Sequence, residues 1–224
     1  MPQHRRAQKR LAACLALIAG YVDAYGLIVL GTYVSLMSGN TTSAGVKAGE
    51  AHFAGAHTAV IAIVLFVAGS FAGATIAHSR PDHAHRILFG LVAALLALAF
   101  AVGGSGALND MCVALLAFAM GIMNQSMSRL GAEAVNLTFV TGALSKIGVH
   151  LALARKRAPV PNQEGAWDTH RYRARIHAQL WAAYTIGAIL AGAALSFARN
   201  VALAPVIVVL AAFAWRSPVR QATE

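Results

Sequence analysis

The stretch "VSLMSGNTTSAGVKAG" (residues 34–49) decides the fold because a related stretch occurs much later in the same chain. The later stretch reads "NLTFVTGALSKIGVHL" (residues 136–151). Both have an apolar approach, a hydroxyl-glycine turn and a polar patch that ends in Gly-Val and a basic residue. Each is too polar to lie comfortably in lipid and too apolar for an ordinary loop. A motif repeated in this way predicts two structurally related halves.

The composition is that of a membrane protein. Hydrophobic residues make up 58% of the chain, charged residues only 12%, and the mean hydropathy is +0.62. Soluble domains are usually about a quarter charged. The formal net charge is +10, but the basic residues fall in a few clusters between apolar runs. This pattern favours membrane topology over nucleic-acid binding. The lipid bilayer is therefore the expected partner, and we expect no nucleic-acid partner.

Six apolar runs are each predicted to form a spanning helix, which needs about 20 residues. They lie at roughly 11–31, 58–78, 87–104, 109–128, 177–198 and 200–216. The first run follows a basic head as in a signal peptide. It continues without a convincing cleavage site, so we expect a retained span. Small residues at helix spacing predict close helix packing at Gly69 with Gly73 and at Gly187 with Ala191.

The positive charges predict that both termini are cytoplasmic. With the N-terminus inside, all 18 lysines and arginines except Lys47 and Arg199 fall on the cytoplasmic side. The polar segment 155–176 is then a basic cytoplasmic connector. Trp167, Trp181, Trp215 and Tyr172 fall near the predicted cytoplasmic boundary and are typical of an aromatic belt.

Aligning the two halves makes the repeat explicit. "GYVDAYG" (20–26) lies over "GIMNQSM" (121–127), which places Asp23 over Asn124. Ser38-Gly39-Asn40 lies over Thr141-Gly142-Ala143. Each half is then a span, a motif and two further spans. Because three spans are an odd number, the second half enters from the opposite side of the membrane, as in the inverted repeats of many transporters.

The predicted fold is an all-α membrane protein with about six transmembrane helices in two inverted three-helix repeats. Each repeat contains a broken or re-entrant helix after its first span. Two alternatives remain open: both motifs are surface amphipathic helices, or both are full spans. The predicted segments are a basic cytoplasmic N-terminus, the first repeat, the second repeat containing the connector, and a cytoplasmic tail, at residues 1–10, 11–104, 105–217 and 218–224.

Three motifs carry a resemblance to a known family. They are "GYVDAYG" (20–26), "SLMSGNTT" (35–42) and "MSRLGAEAVNLTFVTGALSKIG" (127–148). The chain resembles the YoaK-type family of uncharacterised bacterial polytopic inner-membrane proteins, from about Leu11 to Trp215. The resemblance implies a polytopic membrane protein and names no substrate.

Asp23 is the most informative single residue, because it is the only acidic residue well inside a predicted span. A carboxylate there costs several kcal/mol unless it is paired, hydrated or protonated. In the functional interpretation Asp23 is a proton or cation relay or a substrate contact, with Asn124 as its neutral counterpart. In the structural interpretation it accepts hydrogen bonds from hydroxyl groups or from the backbone of a broken helix.

The two glycine-centred turns supply the other candidate site residues. A half-helix that starts at membrane depth presents free N–H groups and a positive dipole end to a solute. Side chains in these turns can also cap a helix start, and a broken helix needs caps whatever it binds. The predicted substrate or ion site therefore comprises Asp23, Asn124, Ser38, Gly39, Asn40, Thr41, Thr141 and Gly142.

Catalytic and metal signatures are absent from the sequence. It contains no Walker loop, nucleophile elbow or H-E-x-x-H motif. The cluster His78, Asp82, His83 and His85 matches no standard metal spacing, so we expect neither a metal nor a cofactor. The sequence predicts a small secondary transporter or channel for a small solute or ion, with its site between the repeats near the bilayer midplane. A non-transporting scaffold or sensor and an intramembrane enzyme are the alternatives, and the short chain leaves a homodimer open.

Overall fold

The computed structural model describes residues 3–103, 108–126, 129–130, 133–134, 138 and 140–216. These residues form eight α-helices and one pair of two-residue antiparallel strands, β1 and β2. Asn136, Leu137 and Phe139 of the second motif and the predicted tail at 218–224 lie outside the described residues. The elements in chain order are α1 (Gln3–Tyr25), a π-helical turn (Gly26–Leu30), α2 (Met37–Gly49), α3 (Phe53–Ser79), α4 (Ala84–Val102), α5 (Asn109–Asn124), β1 (Arg129–Leu130), β2 (Glu133–Ala134), α6 (Val140–Arg155), α7 (His170–Ala198), a 3₁₀ turn (Arg199–Val201) and α8 (Ala204–Arg216).

Among the residues that the structure describes, four helical segments are long and apolar enough to cross a membrane. They are α1 with its π-helical turn (Arg6–Leu30), α3, α4 and α7. The fourth and sixth predicted spans are shorter apolar helices, since α5 has 16 residues and α8 has 13. At 1.5 Å per residue they reach about 24 and about 20 Å, less than the hydrocarbon thickness of about 30 Å.

Both predicted motifs contain a separate helix. The helical structure is interrupted after the first span and resumes as α2. The second motif forms α6. The two motif helices have 13 and 16 residues. The predicted connector (155–176) is non-helical between the end of α6 at Arg155 and the start of α7 at His170. Its remaining residues belong to α7.

The chain divides into two compact units. The first unit comprises Met1–Tyr21 and Met127–Ile189, and the second comprises Val22–Ser126 and Leu190–Glu224. In the first unit, α1 and α6 both contact α7. In the second unit, α3 packs on α5 and α2, while α4 packs on α5 and α8.

Close backbone contacts define the packing of both units. In the second unit, a Cβ added at Gly69 would lie 2.1 Å from the Phe118 carbonyl oxygen, and one at Gly121 would lie 2.2 Å from that of Phe66. The contact at Gly73 is looser, since a Cβ there would lie 3.0 Å from the Cα and carbonyl oxygen of Ile122. Because a side chain at Gly69 or Gly121 would clash with backbone, α3 and α5 meet backbone to backbone, which confirms the close packing predicted at Gly69 and Gly73.

The same type of contact joins α1 and α7 in the first unit. A Cβ at Gly187 would lie 1.9 Å from the Leu17 carbonyl oxygen, and one at Gly20 would lie 2.0 Å from that of Tyr184. The prediction for Gly187 is therefore confirmed. Ala191, the other small residue predicted to pack closely, is fully buried.

Candidate functional site

The site begins where the first span stops being an α-helix. After Tyr25 the chain makes the π-helical turn Gly26–Leu30, and Gly31 ends that turn with a left-handed conformation, φ = 70°. A residue with a side chain adopts this conformation only at a cost, so glycine suits the position. The next residues lead into α2, which begins at Met37. The break leaves several backbone amides without a helical acceptor.

Asp23 satisfies these amides. Its Oδ1 accepts hydrogen bonds from the amide nitrogens of Val34 (2.9 Å), Ser35 (2.8 Å) and Leu36 (3.4 Å). The residue is only 2% exposed. Consecutive amides that converge on one carboxylate oxygen offset part of the cost of burying it. Asp23 therefore fastens the end of α1 to the entry of α2, as the structural interpretation requires.

This arrangement corrects the predicted source of the cap. We expected side chains of the turn to cap the helix start, but the residue at the N-cap position of α2 is Leu36, which makes no side-chain capping bond. The hydroxyl groups of Thr41 and Thr42 instead donate to the carbonyl oxygens of Met37 (2.8 Å) and Ser38 (3.0 Å). These bonds lie within α2, because a carbonyl four residues earlier is the nearest acceptor for a helical threonine.

Asn40 closes the break from the side of α2. It is 1% exposed, its Nδ2 donates to the Tyr33 carbonyl oxygen (2.7 Å), and its Oδ1 accepts from the Thr32 hydroxyl (3.0 Å). Gly39 lies against the Tyr33 ring. Asn40 is thus one of the predicted site residues that the structure brings to the break, whereas Ser38 and Thr41 are exposed.

Two buried polar atoms near these elements have no hydrogen-bond partner among the described residues: Ser35 Oγ and Asn124 Oδ1. An unsatisfied buried polar atom costs about 1–3 kcal/mol, and in native proteins it normally has a water or ligand partner. Asn124 is the last residue of α5, and the π-helical turn packs on α5. We use the name break cluster for Asp23, Thr32, Ser35 and Asn40.

Sequence reasoning missed two members of the break cluster, Thr32 and Ser35. Both residues belong to the segment "GTYVSL" (31–36). The glycine and the polar residues of this segment could have predicted a helix interruption there. Thr141 and Gly142 lie in the first turn of α6, in the first unit, and Thr141 is exposed. Their role in a shared site stays a prediction.

Metal ligands are not grouped in the described part of the chain. No set of three or more His, Cys, Asp or Glu side chains there could hold a metal ion. In the predicted cluster on the α3–α4 connection, His85 packs against the Phe89 ring at a centroid distance of 5.9 Å.

Comparison with known proteins identifies the family. The family model described as "Protein of unknown function (DUF1275)" matches residues 11–215. The chain belongs to this family. The YoaK-type resemblance is thereby confirmed, because YoaK is a DUF1275 protein. The match runs from Leu11 in α1 to Trp215 in α8 and therefore includes the break cluster.

This DUF1275 protein is also similar to the UPF0700 transmembrane protein RA0705 of Rhizobium meliloti (strain 1021). The two chains are 38% identical over 139 residues, which are 62% of this chain and 59% of the relative. This chain therefore spans less than two thirds of the curated relative's length. No solved structure matches. The family and the apolar helices together identify a multi-pass membrane protein.

Proposed function

We propose that the protein is a small secondary transporter or channel for a small solute or ion. It resides in a bacterial inner membrane with both termini cytoplasmic, and its polar site lies between two inverted repeats near the bilayer midplane. The observation that carries the proposal is the buried break after the first span, with Ser35 Oγ and Asn124 Oδ1 left unpaired among the described residues. Transporters commonly bind their substrates at such interrupted helices.

Reciprocal helix packing supports the inverted repeat. The first span of the first half, α1, packs on α7 of the second half at Gly20 and Gly187. The first span of the second half, α5, packs on α3 of the first half at Gly121 and Gly69. Gly20 and Gly121 are equivalent in the alignment of the halves. Equivalent glycines therefore make equivalent helix contacts in the two halves, which is expected of a duplicated sequence.

The remaining helix contacts follow the same pairing of elements. The motif helix α2 packs on α3, and its counterpart α6 contacts α7, where Nδ1 of His150 lies 3.0 Å from Nδ1 of His170. The third helices of the two halves, α4 and α8, pack on each other. In this proposal α5 and α8 also span the membrane, although both are shorter than the hydrocarbon core. Local thinning of the bilayer or flanking residues compensate for the missing length.

Within this site we assign different tasks to the carboxylate and to the unpaired groups. Because Asp23 Oδ1 is already held by three amides, Asp23 positions the broken backbone. Ser35 and Asn124 make the direct polar contacts to the solute. Asn124 comes from the second half of the chain and lies in the same compact unit as the break cluster, so both repeats contribute.

A ligand screen by thermal stability tests this assignment. A ligand that binds only the folded protein raises its melting temperature, with a stabilisation of about 2.7 kcal/mol at a hundred times its Kd. We expect an inorganic ion or small polar solute to stabilise the wild type and to lose this effect in Ser35→Ala/Asn124→Ala. The control variant Thr41→Ala should keep the effect, because the Thr41 hydroxyl is used inside α2. Equal stabilisation of the wild type and the double variant would exclude this site.

A scaffold or sensor role is the second candidate, and the ordered connector favours it. Arg173 donates to both carboxylate oxygens of Asp168 at 2.9 and 2.8 Å, and both side chains are buried. Arg173 also donates to the Pro161 carbonyl oxygen at 2.9 Å. A connector fixed by a buried ion pair offers a preformed docking surface. In either role we propose no catalytic function, cofactor or nucleic-acid partner, and a homodimer fits the short chain.

A further inference from the structure

A groove in the first unit lies outside the candidate site. It has a volume of about 810 Å³ and is formed by the N-terminal half of α1, the connector and the first turns of α7. The residues that line it are Arg6, Lys9, Arg10, Ala13, Trp167, Tyr172, Arg175, Gln179, Ala182, Ala183 and Ile186. All of them belong to the same compact unit.

One end of the groove is strongly basic. Arg6, Lys9, Arg10 and Arg175 line it, and the described residues of its wall include no acidic side chain. Lys9 Nζ lies 4.0 Å from the centroid of the Tyr172 ring, a cation–π contact that holds the ammonium group at the wall. The exposed side chains of Arg6, Arg10 and Arg175 can turn toward an anion.

The other end of the groove is apolar. Along α7 the wall runs from Arg175 through Gln179 to Ala182, Ala183 and Ile186, residues that share one helix face. The groove therefore changes from charged to apolar in the direction in which α7 enters its apolar, membrane-competent segment. A lipid molecule has the same succession of charged headgroup and hydrocarbon chain.

Aromatic residues line the groove at its basic end. Trp167 and Tyr172 line the groove and contact each other edge to face, with ring centroids 5.1 Å apart. Tryptophan and tyrosine are enriched at the headgroup level of membranes. Basic pockets between membrane helices on the cytoplasmic side bind anionic headgroups.

We propose that this groove binds one anionic phospholipid. Its phosphate is held by Arg6, Arg10 and Arg175, and an acyl chain runs along the apolar face of α7. Charge complementarity selects an anionic over a zwitterionic headgroup, and the apolar end selects a lipid over a soluble phosphate. The inference does not depend on transport, because the groove residues and the break cluster belong to different units.

Trp167 provides a direct probe of the groove in the full chain. The protein contains three tryptophans, so Trp181→Phe/Trp215→Phe leaves Trp167 as the sole indole. Both replaced residues are exposed, and we expect the double variant to fold. Its fluorescence in detergent is titrated with short-chain phosphatidylglycerol, phosphatidylcholine, glycerol 3-phosphate and inorganic phosphate. We expect a saturable response to phosphatidylglycerol at concentrations where the other three produce none.

A matched pair of charge variants completes the test. In the single-tryptophan background, Arg10→Gln/Arg175→Gln removes two charges from the groove, whereas Arg80→Gln/Arg86→Gln removes two charges at the α3–α4 connection. Each charge near a lipid phosphate contributes about 1 kcal/mol, so we expect about 30-fold weaker phosphatidylglycerol binding in the groove variant. The control variant should bind as the single-tryptophan parent does.

Three results would overturn the proposal. They are equal affinity for phosphatidylglycerol and phosphatidylcholine, an equally strong response to glycerol 3-phosphate or inorganic phosphate, and equal effects of the groove and control variants. The second result would identify a soluble phosphate compound as the ligand. The ligand screen at Ser35 and Asn124 is unaffected by any of these outcomes.

Discussion

The Ser35 amide donates a 2.8 Å hydrogen bond to Oδ1 of Asp23, and this bond joins the last turn of α1 to the entry of α2. The amides on either side of Ser35 donate to the same oxygen. The acidic residue within the first span is thus used to hold a helix interruption open. The hydroxyl of Ser35 has no partner among the described residues, so this residue combines a fixed backbone with an available polar group.

We expect Asp23→Ala to destabilise the protein strongly. The substitution removes the acceptor of three amides and leaves them buried, at a cost of about 3 kcal/mol or more. Asp23→Asn keeps an acceptor oxygen without the charge, so we expect a smaller loss of about 1 kcal/mol. Thermal unfolding in detergent checks this order. An Asp23→Ala protein as stable as the wild type would show that the amides have other acceptors.

Asn40→Ala should also destabilise the break. It removes the bond to the Tyr33 carbonyl oxygen and leaves the Thr32 hydroxyl without this acceptor. We expect a loss of about 2 kcal/mol. Thr41→Ala, one residue along α2, should change the free energy of unfolding by no more than about 0.5 kcal/mol, because Thr41 is exposed. Equal effects of the two substitutions in chemical denaturation would contradict the assignment of Asn40.

Two glycines on α7 provide a matched test of helix packing. Gly187→Ala places a methyl group against the Leu17 carbonyl oxygen and should lower the yield of folded protein or its melting temperature sharply. Gly192→Ala meets nothing within 4 Å and should be neutral or slightly stabilising, since alanine is the better helix former. The reverse order of stability would contradict the backbone contact between α1 and α7.

Two arginines on α7 provide a similar test of the connector. Arg173→Gln breaks a buried ion pair with Asp168 and should cost about 3–5 kcal/mol in local stability. Arg171→Gln removes the same charge from an exposed position and should have little effect. Limited proteolysis between residues 156 and 169 should accelerate only in the Arg173 variant. Equal protection in both variants would mean that other contacts order the connector.

Hydropathy located the four long apolar helices in advance because each span must be apolar over its whole length. Close packing at Gly69, Gly73 and Gly187 was also predictable, since small residues at helix spacing permit backbone contact. The lengths of α5 and α8 were not, because hydropathy averaged over a long window does not show at which residue a helix begins or ends. Helix α5 ends at Asn124, four residues before the predicted end of its apolar run.

The site was only partly predictable. Burial of Asp23 followed from its isolation in an apolar span, whereas its acceptor role depends on a break that brings residue 34 back to residue 23. The turn motif identified Asn40 as a candidate but did not distinguish it from Thr41. Which of the two is buried depends on which face of α2 meets the break. That Asn124 Oδ1 is buried without a partner among the described residues depends on tertiary packing, so no local sequence pattern predicts it.

Water access to Ser35 and Asn124 is the most direct test of the central claim. Ser35→Cys and Asn124→Cys would each be made in a Cys14→Ala/Cys112→Ala background and labelled from either face with a membrane-impermeant thiol reagent. Ala117→Cys on α5, a fully buried position, is the negative control, and exposed His83→Cys is the positive control. We predict labelling at residues 35 and 124 from at least one face. Folded proteins in which neither cysteine is labelled, while residue 83 is, would contradict an open polar site and leave the scaffold role in its place.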